Sequence, residues 1–258
     1  MSSANPLAVL ARPDAGWSLT LYPTAGEAGG SFVPSYRPKR SNWVPGTPAA
    51  NPERSRAEAA RLARGKVRRY CTAHRLNRLG TLTYRGQGCH DPVELRSHVG
   101  QFFRALRTLT GRDAFPYVWV PEWHKTDHGM HVHFAIGQYT AHSQIKAAWG
   151  RGHVHIKRLS DLPVGSTTLS EARVAAGYLS KYVTKSFADD ELSRAKRLHR
   201  YEVAQGFQPP FVRLSGRSPD ELLGLAVEEM GGRAPATSWS SDDSAEWQGP
   251  PAVWFAWD

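Results

Sequence analysis

Cysteine is scarce in this chain of 258 residues: only Cys71 and Cys89 occur. Two thiols cannot staple a disulfide-rich scaffold or complete a four-cysteine zinc site, and no C-x-x-C pair is present. Long apolar runs are also missing, and none approaches the roughly 18 residues of a membrane-spanning helix. The first residues lack a basic start followed by an apolar stretch. No secretory signal is therefore expected, and a cytoplasmic location away from any membrane is the default. A G-x-x-x-x-G-K-S/T segment is absent as well, which excludes a P-loop helicase within these residues. Acidic residues are in deficit, 23 Asp and Glu against 33 Lys and Arg, for a net charge of +10. Such an excess favours a polyanionic partner, above all nucleic acid. Hydrophobic residues make up 40% of the chain, enough for a globular core that needs no metal or disulfide to hold it.

Proline divides the chain. Eight of the 18 prolines lie in residues 1–53 and only four between 54 and 208. Residues 1–53 therefore read as an irregular arm. Residues 233–258 read as an acidic, Trp-rich tail, with Trp239, Trp247, Trp254 and Trp257, which is expected to pack on its own domain. Between them, 54–232 reads as one domain. Residues 54–75 have helical spacing, with Ala60, Ala63, Val67 and Tyr70 on one stripe. Leu79–Tyr84 reads as a strand. Asp91, Pro92 and Glu94 open a helix that Gly111 ends. Tyr117–Trp123 and Met130–Ile136 read as a hairpin. A short helix over 141–149, a strand over 153–159, a helix capped by Ser170 and running to about Phe187, and a last helix over 219–230 complete the pattern. Strands joined by hairpins and mixed with helices predict an α+β fold with a mainly antiparallel sheet.

Seven of the 11 histidines fall between 124 and 155. In the segment G-M-H-V-H-F-A-I-G, strand alternation puts Met130, Val132, Phe134 and Ile136 on one face and His131 and His133 on the other. The two imidazoles stand about 7 Å apart along the strand, close enough to share a metal ion. A turn centred between Thr126 and Asp127 sets Glu122 opposite His131, so the carboxylate joins them on the same face. A second pair, His153 and His155, has the same spacing but no acid on an obvious partner strand. It runs into Lys157 and Arg158, which suit phosphate contact better than metal ligation.

The segment A-A-G-Y-L-S-K-Y-V-T-K places Tyr178 and Tyr182 four residues apart, neighbours on one helix face. Lys181 and Lys185 each follow a tyrosine by three residues, within side-chain reach. A phenol with a pKa near 10 is a weak nucleophile at neutral pH. A nearby lysine and a metal-polarised phosphate would make its attack feasible. Lys185, nearer the helix end, slightly favours Tyr182 as the first nucleophile. On the basic helix, Arg61, Arg64, Lys66, Arg68 and Arg69 are candidate phosphate contacts, together with Lys157 and Arg158.

A strand T-L-T-Y at 81–84, H-V-H at 131–133 and Y-L-S-K-Y-V-T-K at 178–185 follow one another in an order that resembles the HUH endonuclease superfamily. Within it, the chain looks most like the two-tyrosine rolling-circle replication initiators of phages and plasmids. The resemblance covers about residues 78–187. It implies a central five-stranded antiparallel sheet flanked by helices, with His131 and His133 binding Mg²⁺ or Mn²⁺ and Glu122 standing where a third ligand often stands. It implies that a tyrosine attacks a single-stranded DNA phosphate at an origin, leaving a 5′-phosphotyrosine and a free 3′-hydroxyl, and that the second tyrosine serves strand transfer. Origin DNA and a host helicase are the implied partners. Relaxases of this superfamily place the tyrosine before the histidines, and its compact transposases carry one tyrosine, so both fit less well. A basic DNA-binding regulator without catalysis is the alternative outside enzymes.

Overall fold

The computed structural model describes residues 16–34, 49–124, 126–157, 166–188 and 199–258. Arg158 lies outside the described residues. In chain order the elements are β1 (Gly16–Tyr22), β2 (Glu27–Val33), α1 (Pro52–Ala73), β3 (Arg78–Tyr84), α2 (Pro92–Thr110), β4 (Tyr117–Trp123), β5 (Met130–Ile136), α3 (His142–Trp149), β6 (Gly152–Lys157), α4 (Thr168–Ala188), β7 (Glu202–Val203), β8 (Val212–Gly216), α5 (Pro219–Glu229), β9 (Thr237–Ser240) and β10 (Ala252–Ala256). They form two compact units, one from Met1–Thr47 with Pro210–Asp258 and one from Pro48–Pro209.

The first unit departs from the sequence reading, which has an irregular arm at one end and a separate tail at the other. Residues of both form a single antiparallel sheet in the order β8-β1-β2-β10-β9. Leu19 and Leu21 alternate inward on β1 and are fully buried with Ala28, Val253, Phe255 and Trp257 against Leu222 and Ala226 of α5. This alternation is a strand signal that the prolines and glycines of the segment mask in a compositional reading. The partners of β1 and β2 also lie at the far end of the chain, where no local pattern points to them. Packing of the tail on its own unit is as expected: the Trp257 indole donates to the carbonyl of Arg233 at 2.7 Å, and Trp239 meets Trp247 edge-on at 5.3 Å.

The second unit holds the expected five-stranded sheet, in the order β6-β3-β5-β4-β7 with every pairing antiparallel. Because side chains alternate across the pleat, the sheet feeds two cores. Leu82, Trp119, Val132 and Phe134 pack with Leu95, Phe102, Leu106 of α2 and Trp149 of α3. From the opposite face, Leu79, Val118, Val120 and Ala135 pack with Val67 and Tyr70 of α1 and Ala176, Leu179 and Val183 of α4. The helices start where capping side chains take up free backbone N–H groups. Asn51 accepts from Arg54, Asp91 from Val93, and Thr167, rather than the expected Ser170, accepts from the Ser170 N–H to open α4.

One position in the centre of the sheet must be glycine for reasons of space. A Cβ built on Gly80 would stand 2.3 Å from two ring atoms of Phe134, the residue paired with it across β3 and β5. Phe134 is itself buried between α2 and the sheet. Gly80→Ala should therefore cost about 1–3 kcal/mol of unfolding free energy through overpacking. Urea unfolding measures it, and an unchanged midpoint would show that the Phe134 ring moves freely.

Candidate active site

The β4–β5 hairpin is closed by the His124 N–H donating to the Gly129 carbonyl at 2.8 Å. Gly129 has a φ of 71°, and a Cβ there would lie 2.3 Å from the carbonyl oxygen of Cys89, so the tight return requires glycine. This turn sets the register Glu122↔His131 and Val120↔His133. Met130, Val132, Phe134 and Ile136 point into the α2–α3 core, which leaves the two histidines and Glu122 on the α1–α4 face.

There the three side chains meet. Oε2 of Glu122 is 2.9 Å from His131 Nε2 and 2.8 Å from His133 Nε2, and the two imidazole nitrogens are 3.0 Å apart. Their ligand atoms all lie within 4.8 Å of one another, so the group can hold a metal ion. It is the only such group of His, Cys, Asp and Glu among the described residues. The donor set fits a divalent cation: two aromatic nitrogens and a carboxylate oxygen converge on one point, where hydrogen bonds alone would leave acceptors facing each other. Thr81 of β3 stands opposite His133 in the sheet, and its hydroxyl lies 3.1 Å from His133 Nδ1, fixing the ring so that Nε2 faces the carboxylate. Such a supporting contact is usual for a metal-ligating imidazole.

Electrostatics reinforce the geometry. Burial by itself raises the Glu122 pKa, but hydrogen bonds from His131, His133 and Lys185 outweigh it and hold the carboxyl well below the usual carboxylate range. The Lys185 ammonium reaches Oε1 of Glu122 at 2.8 Å. Burial lowers the pKa of His133, against the opposing pull of Glu122, which keeps its imidazole neutral and able to offer a lone pair.

Helix α4 brings the tyrosines to the same place. Its buried side, Ala172, Ala176, Leu179 and Val183, sits on the sheet, and this turns Tyr178 and Tyr182 toward β5. The Tyr182 ring stacks on His133 with centroids 3.6 Å apart and planes within 19°. The Tyr182 hydroxyl donates to that of Tyr178 at 2.7 Å. Burial, helped by this bond, raises the Tyr182 pKa above the ordinary phenol value. Lys157 places its ammonium 4.0 Å from the Tyr178 ring centroid. Lys185 is tied to Glu122 and lies 5.1 Å from the Tyr182 ring centroid, whereas Lys181 is exposed.

The remaining sequence candidates divide. Arg61 is occupied by Glu58 at 2.7 Å, and Arg64 bonds to Thr184 of α4 at 3.4 Å. Lys66 is exposed, while Arg68 and Arg69 are half-buried. His153 and His155 are exposed on the edge strand β6, paired with Thr83 and Thr81, and are not part of the metal-type group. Thr81 is a site residue that the sequence reading does not single out. Its signal is the alternation of T-L-T-Y, which puts both threonines on one face of a strand.

All of these groups except α1 lie in the segment that a family comparison identifies. Residues 77–187 match the family model described as Replication-associated protein ORF2. No curated protein and no solved structure matches the chain. Family membership implies a nicking enzyme that binds origin DNA, and no described helix is long and apolar enough to cross a membrane. With its His-x-His pair and facing acid in place, the chain is, through this segment, a replication-associated protein of the ORF2 type, in the rolling-circle initiator family.

Proposed function

We propose that the protein cuts single-stranded DNA at a replication origin through a tyrosine nucleophile and rejoins it by strand transfer. The observation that carries this reading is the fusion of two groups into one cluster: the tyrosine pair stacks directly on the histidine that faces Glu122. In the cut, a tyrosine oxygen forms a bond to phosphorus, the bond from phosphorus to the 3′-oxygen breaks, the phenol proton departs, and the 3′-oxygen takes up a proton. The product is a 5′-phosphotyrosine and a 3′-hydroxyl that primes synthesis. The second tyrosine, one helical turn away, repeats the attack when the circle is complete, so that the free 3′-hydroxyl rejoins the first linkage.

Tyr178 is the first nucleophile in this reading, in place of the slight sequence preference for Tyr182. Tyr178 accepts the hydrogen bond that Tyr182 donates, and an accepted bond stabilises charge developing on its oxygen. Lys185 and Glu122 act together: the ammonium fixes one carboxylate oxygen and leaves the other to the histidines. Lys181, exposed on the same helix face as Tyr178, is free to meet phosphate. His131, His133 and Glu122 would hold Mg²⁺ or Mn²⁺. When bound, the cation would polarise the scissile phosphate and neutralise charge on its oxygens. Exposed Lys66 and half-buried Arg68 and Arg69 would follow the DNA backbone, with binding that weakens as salt rises. A host helicase would supply the unwinding.

EDTA should abolish nicking of single-stranded DNA and Mn²⁺ or Mg²⁺ should restore it. The pair His131→Ala and His133→Ala should cut at least about 100-fold more slowly yet still bind DNA, because binding rests on phosphate contacts. Undiminished cutting by that variant would remove the histidines from the chemistry. Tyr178→Phe should slow the first cut more than Tyr182→Phe, each should impair joining, and the double substitution should leave no cutting. Equal first-cut rates in the two single variants would contradict the assigned order. Metal binding also has a pH signature. Because burial lowers the His133 pKa, Mn²⁺ affinity should hold as pH falls to the ordinary imidazole value of 6.5 and drop on further acidification. A tenfold loss of affinity between neutral pH and 6.5, read by calorimetry, would show that His133 takes up its proton early.

A further inference from the structure

Beside the cluster, a groove of about 610 Å³ runs along the β6 edge of the sheet, lined among others by Asn77, Arg78, Tyr139, His155, Lys157 and Glu171. None of the nicking chemistry described above uses it, apart from Lys157. We propose that this groove is a base-recognition subsite that takes one unpaired guanine nucleotide of the DNA strand next to the cleaved phosphate. The inference rests on the strand-nicking reading for its substrate class and adds the residue-level basis of sequence choice.

Tyr139 is the first argument. Its side chain is 71% exposed, an arrangement that leaves a flat aromatic face in water. The backbone beneath it is nevertheless fixed: Arg112 donates to the Tyr139 carbonyl at 2.8 Å and to the Thr140 hydroxyl at 3.2 Å. The Arg78 guanidinium stands 5.9 Å from the ring centroid. A rigidly mounted, exposed aromatic ring beside cationic groups is the device by which proteins stack unpaired bases.

The polar groups choose the base. The Asn77 amide donates to Oε2 of Glu171, and the Asn77 carbonyl oxygen accepts from Arg78 at 2.7 Å. These bonds leave Oε1 of Glu171 as an acceptor at the groove. An ionised carboxylate accepts and does not donate, so it calls for a base edge rich in donors. Guanine alone carries adjacent N1–H and N2–H groups on its pairing edge. Thymine has a single donor, and adenine and cytosine set an amino group beside an acceptor nitrogen. Guanine also presents O6 and N7 acceptors, which suit Arg78, Lys157 and His155.

Lys157 links the groove to the chemistry. It lines the groove and places its ammonium 4.0 Å from the Tyr178 ring centroid. A nucleotide seated on Tyr139 therefore has its phosphate side toward the tyrosine pair, and Lys157 can span the two.

The test is binding of the full chain, in EDTA, to labelled single strands of about 15 nucleotides, the length range of a single-strand site. One strand is all thymidine and the other carries guanine at every third position. The guanine strand should bind at least about fivefold more tightly. Tyr139→Ala should weaken it by about fivefold or more through lost stacking, and Tyr139→Phe should restore the affinity. Glu171→Gln, which replaces an acceptor by a donor, should erase the guanine preference. Equal binding of the two strands by the wild type, full affinity in Tyr139→Ala, or a preference surviving Glu171→Gln would each overturn the proposal. Because nothing is cut in EDTA, these outcomes are independent of the nicking reading. Loss of cutting in the His131 and His133 variant with the guanine preference intact would indict only the metal cluster, and the converse only the groove.

Discussion

The carboxylate of Glu122 is the point on which the central unit's chemistry depends. One of its oxygens faces both histidines within 2.9 Å and the other holds Lys185. Those partners come from β5 and α4, so a single side chain on β4 ties the metal-type group to the helix that carries the tyrosines. Without it, the two imidazole nitrogens would face each other at 3.0 Å with no anion between them. Removing one member of such a half-buried charge cluster leaves the others uncompensated, and that loss exceeds the value of any one bond. The ionised state of Glu122 is itself a product of the cluster, because the surrounding donors overcome the cost of burial.

From this carboxylate the layout of the unit follows outward. The tight return at Gly129 sets the hairpin register, and the register puts Glu122 opposite His131. Thr81, one strand over, orients His133. The apolar side of α4 seats the helix on the sheet, and the Tyr182 ring then lies flat on the same histidine. Strand pleat and helical repeat thus bring together residues from 81 to 185 without any loop having to close over them.

Much of this was legible in the sequence because it depends on local periodicity. Alternation in M-H-V-H-F-A-I separates ligand face from core face, and the four-residue step from Tyr178 to Tyr182 fixes their shared helix face. The turn chemistry between Trp123 and Met130 was enough to place Glu122. What could not be read is what depends on distant pairing. Strand β1 needs partners from the other end of the chain, so its Pro- and Gly-containing surroundings pass for an irregular arm. The same holds for the hold of Lys185 on Glu122 and of Lys157 on the Tyr178 ring. A spacing of three residues suggests that each lysine on α4 serves its own tyrosine, but the fold sends one to a carboxylate and brings another in from an edge strand. Arg61 shows the same limit, since a basic residue counted toward DNA binding is engaged by Glu58 on its own helix.

The central claim is that the tyrosine pair stacked on His133 carries the covalent step. Mass spectrometry of the protein–DNA adduct tests it most directly. The full chain is incubated with single-stranded DNA of random sequence and Mn²⁺, stopped with EDTA, digested with nuclease and protease, and the modified peptide is sequenced. The account predicts a nucleotide joined through its 5′-phosphate to Tyr178 in the wild type, and to Tyr182 when Tyr178 is replaced by phenylalanine. An adduct on any other residue, or cleavage with no covalent adduct at all, would contradict it.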